Sequence, residues 1–231
     1  VFKNTQWNLS LWWQKNNNKS VIIKKKIITY KEIIKKNIDY IIISPGINID
    51  KCNLSKFLKK NLKKINTDLD IFFSMYSKNK NMTITGTNGK STTAKIIYEV
   101  LKQQKFDVRL VGNIGNPILL ERNITNKTVF VIEASSYQLD YSKILRSNIV
   151  AILNISPDHL ERHKTLKNYI SAKFSLIKRQ AKKDYAILNT NNVYIKQQTL
   201  AHNFLPKIIK INKQINPAVL KKINNPYLMT V

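Results

Sequence analysis

The chain has 231 residues, 43% of them hydrophobic, a formal net charge of +27 and one cysteine, Cys52. That length and apolar content suit one large or two small folded domains and exclude a disordered chain. A lone cysteine excludes an intrachain disulfide framework or a cysteine-based metal site and fits a reducing, cytoplasmic setting, while apolar runs such as Tyr40–Ile43 and Ile149–Leu153 are too short to span a bilayer.

In chain order, residues 1–80 read as an incomplete α/β segment. Val21–Ile23 and Ile27–Thr29 are expected as short strands, Tyr30–Lys36 as a short helix, and Tyr40–Ile43 as a buried strand ending in the turn Ser44-Pro45-Gly46. Leu54, Phe57, Leu58, Leu62 and Ile65 mark an amphipathic helix with a lysine face. From Asn81 onward strands and helices alternate. Strand Met82–Thr85 leads through a glycine loop into a helix reaching about Gln104, on which Ala94, Ile97, Val100 and Leu101 recur at helical spacing. Val108–Val111 is a strand running into "GNIGNP". Val129–Ile132 is a strand ending at Glu133, and Ile149–Ile155 is a strand ending at "SPDH". A helix through Tyr169 to Ile177 and a strand Tyr185–Leu188 follow. This alternation predicts an α/β fold with a mostly parallel, doubly wound sheet flanked by helices.

The stretch "MTITGTNGKSTT", Met82–Thr93, carries the most specific chemistry. Gly86 and Gly89 permit a tight turn and close approach of a ligand to the backbone. The helix start that follows offers free N–H groups and the positive end of a dipole to an anion. Lys90 adds a point charge for phosphate oxygens, and Ser91 a hydroxyl for Mg²⁺. Only two residues separate the glycines, so this is a shortened relative of the usual phosphate loop.

Other groups are weaker signals. Glu133 closes an apolar strand at the sheet edge where ligands bind, and its carboxylate suits a phosphate-bound Mg²⁺; a solvated strand-end glutamate is the competing reading. His159, after Pro157-Asp158, is a metal or charge-binding candidate, although a lone loop histidine is more often a hydrogen-bonded surface residue. Asn113, between two glycines, reads as a turn residue whose amide is also able to hold a substrate oxygen. Lys173, on a helix, reads on its physics alone as a solvated lysine.

The +27 charge raises the alternative of a basic nucleic-acid-binding module with a vestigial phosphate loop. Lysine pairs such as Lys35–Lys36, Lys63–Lys64, Lys182–Lys183 and Lys221–Lys222 are dispersed along the chain, and no nucleic-acid motif accompanies them. Weak, salt-sensitive nonspecific binding is therefore expected, with no specific nucleic-acid partner.

Together these segments resemble the Mur ligase family, and within it the members that add D-glutamate. The resemblance rests on "SPGI" at 44–47, "TGTNGKSTT" at 85–93, "GNIGNP" at 112–117, "EASSYQLD" at 133–140, "NISPDHLERH" at 154–163 and "SAKFSLI" at 171–177. It implies that ATP phosphorylates the carboxylate of UDP-N-acetylmuramoyl-L-alanine and that the amine of D-glutamate attacks the acyl phosphate. Another amide ligase of the same family, or one acting on folate, is the close rival. By the same resemblance Gly86, Thr87, Asn88, Gly89, Lys90, Ser91 and Thr92 cradle ATP. Ser91 and Glu133 serve one Mg²⁺, His159 serves a second, and Asn113 orients the muramoyl substrate. Lys173 becomes a carbamylated lysine, reversing its solvated reading. A monomer is expected. The domains implied are a partial UDP-substrate-binding domain over 1–80 and an incomplete ATP-binding domain over 81–231. The chain opens on valine, lacks a recognisable uridine-binding loop before Val21, and stops where the family continues. A fragment without the amino-acid-binding C-terminal domain, inactive alone, is the expectation.

Overall fold

The structure, a computed structural model, describes residues 38–211. The strands expected at 21–23 and 27–29 and the helix at 30–36 lie outside the described residues.

The described chain opens with strand β1 (Ile41–Ile42), which pairs in parallel with β2 (Ile65–Asn66) in a two-stranded sheet. Helix α1 (Ser55–Lys60) and a single 3₁₀ turn, Leu62–Lys64, connect them. Two expectations need correction. Of the first strand only Ile43 is buried, whereas Tyr40 is 42% and Ile42 45% exposed, because a two-stranded sheet packed on one face leaves alternate residues in water. The helix expected through Ile65 stops at Lys60. The Asn61 side-chain N–H donates to Phe57 O at 2.9 Å, which satisfies an end carbonyl, and Ile65 is freed to join Ile43, Ile49, Leu54 and Leu58 in a small apolar cluster.

The main sheet contains β3 (Asn81–Thr85), β4 (Val108–Gly112), β5 (Val129–Glu133), β6 (Ile149–Ile152), β7 (Tyr185–Asn189) and β8 (Lys207–Ile211). Their spatial order is β4-β5-β3-β6-β7-β8, and every pairing is parallel. Helices α2 (Asp68–Tyr76), α3 (Lys90–Gln103), α4 (Ser136–Tyr141), α5 (Leu160–His163), α6 (Leu166–Lys178) and α7 (Val193–Ala201) cover it. Alternation along each strand sorts side chains onto two faces. Phe130, Ile132, Val150, Ile152, Ala186 and Leu188 face a large core with Phe72 of α2 and Tyr169 and Phe174 of α6. Ile84, Val131 and Ala151 face the opposite way, against Ala94, Ile97 and Leu101 of α3.

Several elements go beyond the sequence-based expectations. Helices α2 and α4 are each opened by a capping box: Thr67 accepts from Asp70 N and Ser135 from Gln138 N, with the reciprocal side-chain bonds present. Strand β6 ends at Ile152, three residues early, and the last helix is broken at Lys164, whose φ of 67° is not helical. Thr165 then caps α6 by accepting from Asn168 N.

The order of strands positions the site. The connection from β3 through α3 leads to β4 on one side, whereas that from β6 through α5 and α6 leads to β7 on the other. Neighbouring strands β3 and β6 thus form a topological switch point, and a crevice opens at their carboxyl ends.

Candidate functional site

At that crevice the chain leaves β3 as Gly86-Thr87-Asn88-Gly89 and enters the 14-residue helix α3 at Lys90. Gly89 has φ +78°, which favours glycine, and a Cβ on Gly86 would lie 3.2 Å from the Leu153 Cβ. The loop therefore needs glycine at both ends for separate reasons, one conformational and one steric. Lys90 folds back so that its Nζ donates to Thr87 O at 2.8 Å. Ser91 and Thr92 are exposed on the first turn of α3.

The neighbouring strand ends bring in the polar groups. Glu133, at the end of β5, is fully buried. Its Oε1 accepts from Asn113 Nδ2 at 2.8 Å, and its main-chain O accepts from Asn113 N at 2.9 Å. Glu133 Oε2 is buried and has no hydrogen-bond partner among the described residues, which leaves one carboxylate acceptor unused. The reading of Glu133 as a solvated strand end is overturned. Gly112 makes this approach possible: its φ is +107°, and a Cβ there would lie 2.2 Å from Glu133 O.

His159 follows β6 in a left-handed conformation, φ 52°, and its ring lies 4.8 Å from the Tyr137 ring. The Tyr137 hydroxyl donates to Glu161 Oε1 at 2.9 Å and lies 3.2 Å from His159 Nδ1. The other ring nitrogen, Nε2, lies 3.4 Å from Asp158 Oδ2. His163, one turn on, is buried; burial lowers its pKa, and neither ring nitrogen has a partner among the described residues.

Lys173 departs furthest from its solvated reading. It is 1% exposed, its Nζ donates to Gly86 O at 2.8 Å, and it sits 4.5 Å above the Tyr169 ring. Burial, reinforced by the positive charge of Lys90, pushes its pKa down to about 7. At neutral pH much of it is an uncharged amine beneath the phosphate loop.

A cleft of about 480 Å³ is lined by Lys90, Asn113, Tyr137 and His159 together with Pro45 and Gly46 of the first segment. Asp68, at the start of α2, also lines it. Burial raises the Asp68 pKa, and its Oδ1 has no partner among the described residues. A larger cavity, about 670 Å³, lies between residues 48–62 and the α5–α6 region and contains none of the phosphate-loop residues.

Comparison with known proteins decides the family. The chain matches the Mur ligase middle domain over residues 84–225.

The chain belongs to the Mur ligase family.

It is 37% identical over 180 residues to the UDP-N-acetylmuramoylalanine–D-glutamate ligase of Rickettsia bellii (strain RML369-C), covering 78% of this chain and 39% of that protein. It is 39% identical over 164 residues to the ligase of the same name from Lachnoclostridium phytofermentans, covering 71% of this chain and 36% of that protein. The chain thus spans less than two-fifths of the length of these two relatives. Among solved structures, a UDP-N-acetylmuramate:L-alanyl-gamma-D-glutamyl-meso-diaminopimelate ligase from Neisseria meningitides superposes with a TM-score of 0.54 at 14% identity, covering 78% of this chain and 60% of that one. That likeness is one of fold.

Within this Mur ligase chain, Lys90, Asn113 and His159 share the cleft, while Glu133 and Lys173 lie buried beside and beneath it. No three His, Cys, Asp or Glu side chains converge as a metal cluster among the described residues. Asp68 and Tyr137 line the cleft and Asn154 bonds to the glycine loop, none of which the sequence reading singled out. For Tyr137 and Asn154 the available signal was their place in "SSYQLD" and "NISPDHLERH"; Asp68 did not stand apart from ordinary polar residues. Among the described residues, no helix is long and apolar enough to cross a membrane.

Proposed function

We propose that this chain is the nucleotide-binding part of an ATP-dependent ligase that joins D-glutamate to UDP-N-acetylmuramoyl-L-alanine in peptidoglycan precursor synthesis, acting in the cytoplasm. The observation that carries the reaction class is the convergence of the phosphate loop, Asn113 and His159 on one cleft, with the buried amine of Lys173 behind Gly86. The D-glutamate specificity is supported by the names of the relatives.

In this reading residues 81–231 form the ATP-binding domain, and residues 1–80 belong to a domain holding the UDP-substrate. A substrate carboxylate oxygen attacks the γ-phosphorus of ATP, ADP leaves, and the D-glutamate amine displaces phosphate from the acyl phosphate to form an amide. The chain's contribution is positioning and charge stabilisation. Backbone N–H groups at the start of α3 bind phosphate oxygens. Lys90 leaves Thr87 O for the phosphates, and Asn113, anchored on Glu133, orients the muramoyl substrate. Mg²⁺ bound with the nucleotide supplies neutralisation of the charge that develops on the transferring group. The unpartnered Oε2 of Glu133 suits such an ion: Ser91 and Glu133 would serve one, His159 and a carbamylated Lys173 a second. A pKa near 7 leaves the Lys173 amine free to take up CO₂, which converts it into an anionic oxygen ligand.

The test is D-glutamate-dependent phosphate release from ATP and UDP-N-acetylmuramoyl-L-alanine by the whole gene product. Release with another amino acid and none with D-glutamate would refute the specificity. Lys90→Ala should weaken MgATP binding by roughly ten- to a hundredfold, the loss expected for charge-assisted hydrogen bonds to phosphate. Unchanged affinity in calorimetry would reject the phosphate-loop role.

A further inference from the structure

Two backbone donors of the phosphate loop are already engaged within the protein. Thr87 N–H approaches both the main-chain O of Asn154, at 3.0 Å, and its side-chain Oδ1, at 3.1 Å. Asn88 N–H donates to the same Oδ1 at 2.8 Å, and Asn154 Nδ2 returns a bond to Asn88 O at 3.1 Å. The planar carboxamide of Asn154 and the peptide groups of Asn88 thus form a closed pair, one donor and one acceptor on each side. The Thr87 hydroxyl is tied to the same strand end: it accepts from Ser156 N at 3.0 Å and lies 3.0 Å from the Tyr169 hydroxyl. By contrast, none of the N–H groups of Gly89, Lys90, Ser91 and Thr92 has an acceptor among the described residues. The free donors therefore begin where the contacts of Asn154 end.

We infer that Asn154, outside the phosphate loop, is its positioning residue. Reaching across the switch point from the end of β6, its side chain holds Thr87 and Asn88 so that the donors of Gly89–Thr92 face the anion. Only a carboxamide meets the requirement. Aspartate keeps the acceptor but loses the donor and sets a negative charge beside a phosphate site; alanine loses both. The competing account is that the main-chain bond from Thr87 to Asn154 O shapes the loop by itself and the side chain is incidental. The two accounts differ at Asn88, whose N–H has no acceptor among the described residues except the side-chain Oδ1. The anion-binding consequence rests on the nucleotide reading proposed above; the loop contacts do not.

Residue-resolved amide exchange by NMR on the full chain, without nucleotide, tests the contact, and calorimetric titration with MgADP tests its consequence. In Asn154→Ala the Asn88 amide should exchange at least roughly tenfold faster, as expected for loss of a hydrogen bond. Thr87 should change less, and Ile84 within β3 not at all. MgADP affinity should fall by at least about tenfold, through loss of preorganisation. Asn154→Asp, which retains the acceptor, should keep Asn88 protected yet bind MgADP more weakly than wild type; it decides the matter if the alanine variant does not fold. Unchanged Asn88 exchange in Asn154→Ala, equal loss of protection in Asn154→Asp, or full MgADP affinity with a loosened loop would each overturn the inference. A wild-type chain that binds no MgADP would reject the nucleotide reading and leave the exchange result to decide the role of Asn154.

Discussion

Replacing Lys173 by methionine removes the amine buried under the phosphate loop while keeping an unbranched chain of similar length. Lys173 has a folded-state pKa of about 7 against an ordinary 10.5. Between these values the unfolded chain binds more protons than the folded one, so the contribution of this group to stability rises with pH across that window. Below about pH 7 the penalty for burying the ammonium is complete, and it vanishes as pH passes 10.5. Linkage sets the penalty at roughly 4 kcal/mol at pH 7 and roughly 2 kcal/mol at pH 9. All other titrating groups are common to the two proteins. The unfolding free energy of wild type relative to Lys173→Met should therefore rise by about 2 kcal/mol between those pH values. The assay is urea unfolding of both proteins at pH 7, 8 and 9, in Mg²⁺-free buffer purged of CO₂ so that the amine stays unmodified. A difference constant to within about 0.5 kcal/mol, the scale of ordinary surface substitutions, would mean that the ammonium is hydrated and that burial does not set its ionisation.

Two further substitutions probe the frame around the site. The buried carboxylate of Asp70 accepts from Thr67 N, the Ser142 hydroxyl and the N–H groups of Lys143, Ile144 and Leu145, tying α2 to the segment before β6. Asp70→Ala strands these donors and should cost roughly 3–5 kcal/mol in urea unfolding; a cost near zero would show that water replaces the carboxylate. Gly112→Ala forces a Cβ toward Glu133 O at a φ of +107°. Strain of that kind costs about 1–3 kcal/mol before the clash is counted. It should also loosen the bond from Asn113 to Glu133, visible as faster exchange of the Asn113 amide; unchanged stability and exchange would refute the steric account.

The sequence by itself determined the elements that signal locally. Strand, short glycine loop and amphipathic helix are legible from Met82 to Gln104 because periodicity and glycine placement are properties of neighbouring residues. The parallel α/β class followed from their alternation, and "GNIGNP" and "NISPDHLERH" marked the loops that meet at the site. The capping boxes of α2 and α4, Thr67-x-x-Asp70 and Ser135-x-x-Gln138, were not among the expectations and came to light only with the structure. Only the tertiary structure decided which of the polar residues are buried and against what. Lysine on a helix is solvated unless a second element covers it, and the covering element for Lys173 is Gly86, 87 positions earlier. Asn154 and Asn88, 66 positions apart, meet only because β6 pairs with β3 and their carboxyl ends coincide. Local pattern sets where strands and helices form. Strand order, a consequence of packing both sheet faces at once, sets which loop residues share a crevice, and therefore which of them are able to act together.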